Sequence, residues 1–293
     1  MKDEASVKNP AGAEVFGFNA YSPREIAHKV QGSGVAKARL PLLSQLTLAV
    51  MAGAFIGLGA LFYVVVKSDP GLGYAARQLL SGAVFCLGMV MVVVAGAELF
   101  TGNNLLVIAR AQGLISTVEV ARNWAVVFAG NLVGCTGLAV LVYLSHHADA
   151  NEGAIGREYV TIAAAKAALP FWTAFFRGVL CNALVCLAVW MSMAGRSVVD
   201  KVVALLFPIT AFVASGFEHC IANLYLFGMA LLLQDGGSAA LLAGMARNLA
   251  AVVAGNVVGG SVLVGLVYYS VYIWGHERAE QRERKKAEHL KHA

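Results

Sequence analysis

Charge is scarce in this chain: 13% of its residues are Asp, Glu, Lys or Arg against 59% hydrophobic, at a mean hydropathy of +0.70. A core of 293 residues cannot absorb so much apolar surface, so the surplus must face lipid and a water-soluble fold is excluded. Residues 1–39 have no apolar run that could serve as a signal sequence, which predicts a polar cytoplasmic arm. The cysteines, at 86, 135, 181, 186 and 220, all fall in apolar stretches without ligand spacing, which argues against disulfides or a metal centre and for small packing residues. Histidine is nearly absent from the apolar stretches. His219 alone lies in one, so a haem or quinone site built on paired histidines is excluded, and no other cofactor is called for.

Six stretches can cross a hydrocarbon core that takes roughly 20 apolar residues per helix. They run over about 40–66, 79–112, 120–145, 170–194, 199–233 and 244–274, the second and fifth with an interruption. This predicts an all-α integral membrane protein: a cytoplasmic arm over 1–39 containing an amphipathic helix near Tyr21 to Val35, a transmembrane domain over 40–275, and a basic cytoplasmic tail over 276–293. Lys and Arg gather in the arm, the 110–122 and 196–201 loops and the tail, so positive-inside bias places both termini in the cytoplasm. The tail mixes acids with bases and reads as a solvated helical end, not as a nucleic-acid or anionic-lipid site.

The interruptions share a pattern, Gly-x-Glu-x-x-x-x-Asn. It reads Gly96-Ala-Glu98-Leu-Phe-Thr-Gly-Asn103 and, 120 residues later, Gly216-Phe-Glu218-His-Cys-Ile-Ala-Asn223. A second repeat matches Ala121-Arg-Asn-Trp-Ala-Val-Val-Phe-Ala-Gly-Asn-Leu-Val-Gly134 to Ala246-Arg-Asn-Leu-Ala-Ala-Val-Val-Ala-Gly-Asn-Val-Val-Gly259 at 10 of 14 positions. The chain therefore reads as a duplication, with halves at about 40–145 and 170–274. Three spans per half, an odd number, predict that the halves are inverted about an axis in the membrane plane, with the middle helix of each broken.

A helix broken inside the membrane frees backbone N–H and C=O groups, which is tolerated only in contact with protein or a water-filled cavity. Glu98, Glu218, Asn103 and Asn223 are expected to support the breaks, the carboxylates by accepting from freed backbone amides. His219 replaces Leu99 in the repeat, so the break itself does not require it, and an intramembrane histidine able to change charge near neutral pH is a candidate for function. Thr101, in the other break, offers a hydroxyl at the same depth. Lys166 stands alone in an uncharged stretch and reads as a placed charge, while Arg177 reads as a snorkelling flank of its helix.

The segments Ala95-Gly-Ala-Glu-Leu-Phe-Thr-Gly-Asn103, Leu180-Cys-Asn-Ala-Leu-Val-Cys-Leu-Ala-Val-Trp190 and Phe212-Val-Ala-Ser-Gly-Phe-Glu-His-Cys-Ile-Ala-Asn223 resemble signatures of the formate/nitrite transporter family, over roughly residues 20–275. The resemblance implies an aquaporin-like protomer with its own pore, in a homopentamer of the bacterial inner membrane. By position it implies His219 as the central histidine and Thr101 as its loop threonine. It implies an outer constriction at Phe85, Met89 and Phe212, an inner one at Leu99, Asn182 and Val185, and anion attraction by Lys166 outside and Lys37 inside. The stretch Val189-Trp-Met-Ser-Met-Ala-Gly-Arg-Ser-Val-Val-Asp-Lys201 resembles the formate branch, which makes formate the expected substrate and nitrite or hydrosulfide the alternatives.

Physics agrees with that layout. A small carboxylate loses several kcal/mol of solvation in a constriction lined by Phe and Leu, whereas its protonated acid does not. The expectation is anion passage coupled to, or gated by, protons at His219. Other classes fit poorly: neither break carries the Asn-Pro-Ala of an aquaporin, and Ser215-Gly216 lacks the Gly at 213 that an intramembrane serine protease would show, so no enzyme is expected.

Overall fold

The computed structural model describes residues 20–276 together with 278, 288 and 289, and among them there is no strand. The expected first half of the arm and nearly all of the tail lie outside the described residues. The helices are α1 Pro23–Ala38, α2 Leu42–Lys67, α3 Tyr74–Ala95, α4 Leu106–Ala111, α5 Thr117–Leu144, α6 Ala154–Ala167, α7 Phe171–Ser192, α8 Val198–Ala214, α9 Cys220–Leu233 and α10 Ala239–Val257. The last continues through π-helical turns at Val258–Leu266 and Ser270–Trp274. Among the described residues, five helical stretches are long and apolar enough to cross a membrane: α2, α3, α5, α7 and the run Ala239–Trp274.

The remaining expected span, 199–233, is divided. α8 has 17 residues and α9 has 14, separated by the second interruption. The first interruption divides its span less evenly, leaving 22 residues in α3 and 6 in α4. In both, a glycine ends the helix in the left-handed conformation, Gly96 at φ 83° and Gly216 at φ 69°. Only glycine adopts it without a Cβ penalty, and it turns the next amide back onto the helix: Ala97 N–H donates to Val92 O at 2.9 Å and Phe217 N–H to Phe212 O at 3.0 Å.

α1 and α6 precede the first long helix of each half. Each ends in Ala-Lys-Ala-x-Leu-Pro, at Ala36–Pro41 and Ala165–Pro170, where proline stops one helix and stands as N-cap of the next. α1 buries Ile26, Ala27, Val30, Gly34 and Ala38, a single stripe at helical spacing. Ser22 and Glu25 form a capping box at its start, and accepting from Ser22 holds the Glu25 carboxyl below the usual carboxylate range.

α5 packs on α2, and α10 on α7, through glycines. A Cβ on Gly134 would collide with Val50 O, one on Gly255 with Phe175 O and one on Gly259 with Val179 O, so the backbones approach as closely as small-residue membrane packing allows. This proximity brings the side chains of α5 and α10 up to the two breaks. The cysteines are all buried in the helix packing.

Candidate functional site

The two breaks are held by one set of side chains used twice. In the first, Lys37 Nζ donates to Glu98 Oε1 at 2.7 Å, Asn103 Nδ2 donates to Glu98 Oε2 at 2.7 Å and to Asn123 Oδ1 at 2.9 Å, and Asn123 Nδ2 donates to Lys37 O at 3.2 Å. In the second, Lys166 Nζ donates to Glu218 Oε1 at 2.8 Å, Asn223 Nδ2 to Glu218 Oε2 at 2.7 Å and Asn248 Oδ1 at 2.9 Å, and Asn248 Nδ2 to Lys166 O at 2.9 Å. Each ring closes through a lysine from the short helix that precedes its half. The charges are well withdrawn from solvent, with side-chain exposures of 16% for Lys166 and 3% for Glu218, so each ion needs its partner.

This corrects the expected role of the glutamates. Their oxygens take an ammonium and an amide side chain instead of freed backbone N–H groups, because a buried carboxylate gains most from an opposite charge. The freed backbone is bound by two asparagines that the sequence shows only as members of a repeat. Asn131 accepts from Phe100 N–H at 3.0 Å and donates to Glu98 O at 2.9 Å and Ala49 O at 2.7 Å. Asn256 accepts from Cys220 N–H at 3.0 Å and donates to Glu218 O at 3.0 Å and Gly178 O at 2.8 Å. One primary amide thus bridges the broken helix to its neighbour, with both its donor and acceptor groups in use.

His219 is the N-cap of α9. Its Nδ1 accepts from Ala222 N–H at 3.1 Å, so that nitrogen carries no proton and the neutral ring holds its proton on Nε2. Nε2 lies 3.0 Å from Thr101 Oγ1, a contact between the two breaks in which the ring is the donor. Phe212 stacks on the imidazole, with ring centroids 5.9 Å apart and planes at 23°, and Phe85 meets Phe212 edge-on at 5.6 Å. Thr101 is fully buried, and its carbonyl accepts from Asn182 Nδ2 at 3.2 Å.

Two cavities approach this point. One, of about 430 Å³, is lined by Lys29, Lys37, Met89, Glu98, Leu99 and Lys201 among others; the second, of about 250 Å³, is lined by Tyr63, Phe85, Lys166, Arg177, Phe212, Glu218 and His219 among others. They share no lining residue and sit at opposite ends of α7, Arg177 on one and Val189 on the other. Met89, expected beside Phe85 and Phe212, lines the Lys37 cavity with Leu99 instead. It lies one helical turn beyond Phe85, about 6 Å further along α3 toward the first break. Asn182 and Val185 line neither cavity; both are fully buried on α7 between the two. Asn182 Nδ2 lies within hydrogen-bond distance of Thr101 O, Asn104 Oδ1 and Asn256 O, which ties α7 to the first break and to α10.

The architecture is therefore two blind cavities, each with a lysine–glutamate pair, separated by aromatic and aliphatic side chains and one imidazole. Comparison with known proteins decides what kind of protein has it. A family model described as "Formate/nitrite transporter" matches residues 24–270. The chain belongs to that family. This formate/nitrite transporter family member is 36% identical to "Formate channel FocA" of Escherichia coli strain K12 over 273 residues, which cover 87% of this chain and 96% of that one. It is similar to a solved structure titled "Pentameric formate channel with formate bound", at a TM-score of 0.72 and 38% identity, covering 79% of this chain and 98% of that chain. A second solved structure, "FNT family ion channel", aligns at a TM-score of 0.76 and 32% identity over 84% of this chain and 98% of that chain. These relatives are channels, and this family member is a membrane transport protein rather than an enzyme.

Two functional groups escaped the sequence reading. The asparagine clamps 131 and 256 stand in the quoted repeat, at the Gly-Asn step, and a buried Asn beside a broken helix is a signal that could have assigned them. The link between Lys37 and Lys166 is marked by the shared Ala-Lys-Ala-x-Leu-Pro, 129 residues apart, against 120 for the breaks and 125 for the asparagines. Unequal loops shift the spacing, so a search at one fixed offset misses it.

Proposed function

We propose that this chain passes small monovalent anions, formate foremost, across the bacterial inner membrane, with both termini cytoplasmic. The protomer reads as six spans in two inverted halves, and the assembly as a homopentamer with a pore in each protomer. The domain limits follow the sequence reading: arm 1–39, pore domain 40–275 and tail 276–293. One observation carries the reading: His219, which lines the Lys166 cavity, is joined at 3.0 Å to Thr101, whose chain neighbour Gly102 lines the Lys37 cavity, and each cavity holds a lysine–glutamate pair. The names of the similar channels support formate as the substrate.

On this reading the Lys166 cavity faces outward. An anion entering it meets Phe85 and Phe212, whose rings offer no hydrogen bond, and then His219 Nε2–H. Displacing Thr101, a carboxylate oxygen accepts that hydrogen. Because Nδ1 is committed to Ala222, the neutral ring holds the Nε2 proton as a hydrogen-bond donor and can hand it to an anion only when the cap opens and Nδ1 takes up another proton. Coupling to protons thus needs both nitrogens, Nδ1 to receive and Nε2 to give. Beyond it Leu99 and Met89 form the inner half of the barrier, with Asn182 and Val185 holding the wall.

The test is uptake of formate, nitrite and hydrosulfide into proteoliposomes at two pH values, by wild type and by His219→Asn. Asparagine is a good N-cap and cannot carry an imidazole proton. Formate flux by wild type with a pH response altered in the variant is the expected result. Wild-type vesicles impermeable to all three anions would sink the transport reading, and an unaltered pH response would reduce His219 to a cap.

A further inference from the structure

The lysines marked for anion attraction are both committed. Lys37 Nζ is 2.7 Å from Glu98 Oε1 and Lys166 Nζ 2.8 Å from Glu218 Oε1, so each pair presents almost no net charge to an arriving ion. Other cations at the Lys166 end are also engaged. Lys67 donates to Gln78, Arg77 donates to Pro70 O and Leu72 O, and Glu158 lies within the field of both.

Arg177 differs from all of these. It lines the Lys166 cavity, it is partly exposed, and among the described residues its guanidinium has no hydrogen-bond or ion-pair partner. Its backbone carbonyl accepts Glu218 N–H at 3.3 Å, which places the residue beside the second break. The same backbone role in the first half falls to Leu48, 129 residues earlier, whose carbonyl accepts Glu98 N–H at 3.2 Å. A leucine does the structural task, so the guanidinium is surplus to it.

Resting on the anion-transport reading, we propose that Arg177 is the anion-capture residue of the Lys166 cavity: its free guanidinium binds small planar anions with two terminal oxygens before they reach Phe85 and Phe212. The fork of N–H donors matches two oxygens at once, a weakly hydrated cation gives up its water to the anion at low cost, and its partial exposure keeps the pairing reversible. The net positive charge in a cleft with low-dielectric walls raises the local anion concentration. Lys166 then serves the fold by neutralising Glu218, and Arg177 serves the substrate. Formate and nitrite use both arms of the fork; hydrosulfide, with one heavy atom, uses one and depends on Arg177 less.

The test measures anion flux against concentration for the full-length protein in planar bilayers, with anion added on the side of the Lys166 cavity. Variants are Arg177→Leu, the residue found at position 48, and Arg177→Lys, with Arg177→Gln as a second neutral change in case the leucine variant is not recovered. The neutral variants are expected to raise the half-saturating formate concentration about fivefold, with the loss sitting in that concentration and not in the flux at saturation. The lysine variant falls between, the effect on hydrosulfide is smaller, and in 1 M inert salt, where screening acts within about 3 Å, the difference narrows. Formate conducted by the neutral variants at the wild-type half-saturation overturns the proposal and leaves the transport reading standing. A drop in saturating flux at unchanged half-saturation also overturns it, as the mark of a packing role. Wild type that passes no formate removes the transport reading itself, and the capture role with it.

Discussion

Thr101 and His219 are 118 residues apart in the chain, and their side chains meet at 3.0 Å, each at the break of a different half. The histidine is doubly employed, since its Nδ1 caps α9 while its Nε2 reaches Thr101. Substitutions at 219 therefore mix two effects, and they separate by the choice of residue.

His219→Ala removes the cap and the polar hydrogen together. The cap alone costs about 1 kcal/mol, so the alanine variant should melt earlier in detergent and lose pH-dependent flux. His219→Asn retains the cap and should be more stable than the alanine variant by about 1 kcal/mol, while losing the same flux response. Equal melting of the two variants would show that Ala222 N–H gains nothing from residue 219.

Each clamp asparagine makes three hydrogen bonds with buried backbone groups. Asn131→Leu, of nearly the same volume, leaves Phe100 N–H, Glu98 O and Ala49 O without that partner, and about 1 kcal/mol follows each, roughly 3 kcal/mol in all. Asn256→Leu should cost the same, because Cys220 N–H, Glu218 O and Gly178 O lose the same partner. Chemical or thermal unfolding in detergent measures both; a cost under about 1 kcal/mol would mean that water replaces the clamp.

Lys166→Met strands a buried carboxylate and should destabilise by about 3–5 kcal/mol, whereas Lys166→Met combined with Glu218→Gln should recover most of the loss. The corresponding change at Lys37 should cost less, since its side chain is 29% exposed against 16% for Lys166. A double variant no more stable than Lys166→Met would show that the pair matters for hydrogen-bond geometry and not for charge.

The arm helix has its own pH dependence. Glu25 in its capping box has a carboxyl pushed down by Ser22, so its stabilising contribution is fully present above the ordinary carboxylate range and is lost only as pH falls through the depressed value. Limited proteolysis of α1 should show protection unchanged through mildly acidic pH and failing below it, and Glu25→Ala should remove that dependence. If the arm gates the pore mouth, deleting residues 1–35 alters the pH profile of flux; an unchanged profile excludes the gate.

Much of this architecture is legible from residues alone. The positions where helices break are written as Gly-x-Glu-x-x-x-x-Asn, because only glycine tolerates the left-handed turn and only a polar set can follow it inside a membrane. His219 stands out because Leu99 occupies its place in the other half. The partner of each glutamate is not legible. Lys37 and Lys166 sit on short helices outside the long apolar stretches, and no local rule says that an amphipathic arm and a supposed loop both return to a membrane break. The cavity that Met89 lines is not legible for a related reason, since a position within a lining stretch does not tell on which side of the barrier one further turn of helix falls.

The clamps also order the birth of the protein. Glu98 and Glu218 emerge during synthesis before the asparagines of α5 and α10 that complete their surroundings, and α9, at about 21 Å, is too short to span a hydrocarbon core of about 30 Å by itself. Each half-finished break must therefore wait, unsatisfied, for the helix that follows it. Insertion of this chain is a task of pairs, in which α5 and α10 arrive last and lock what precedes them.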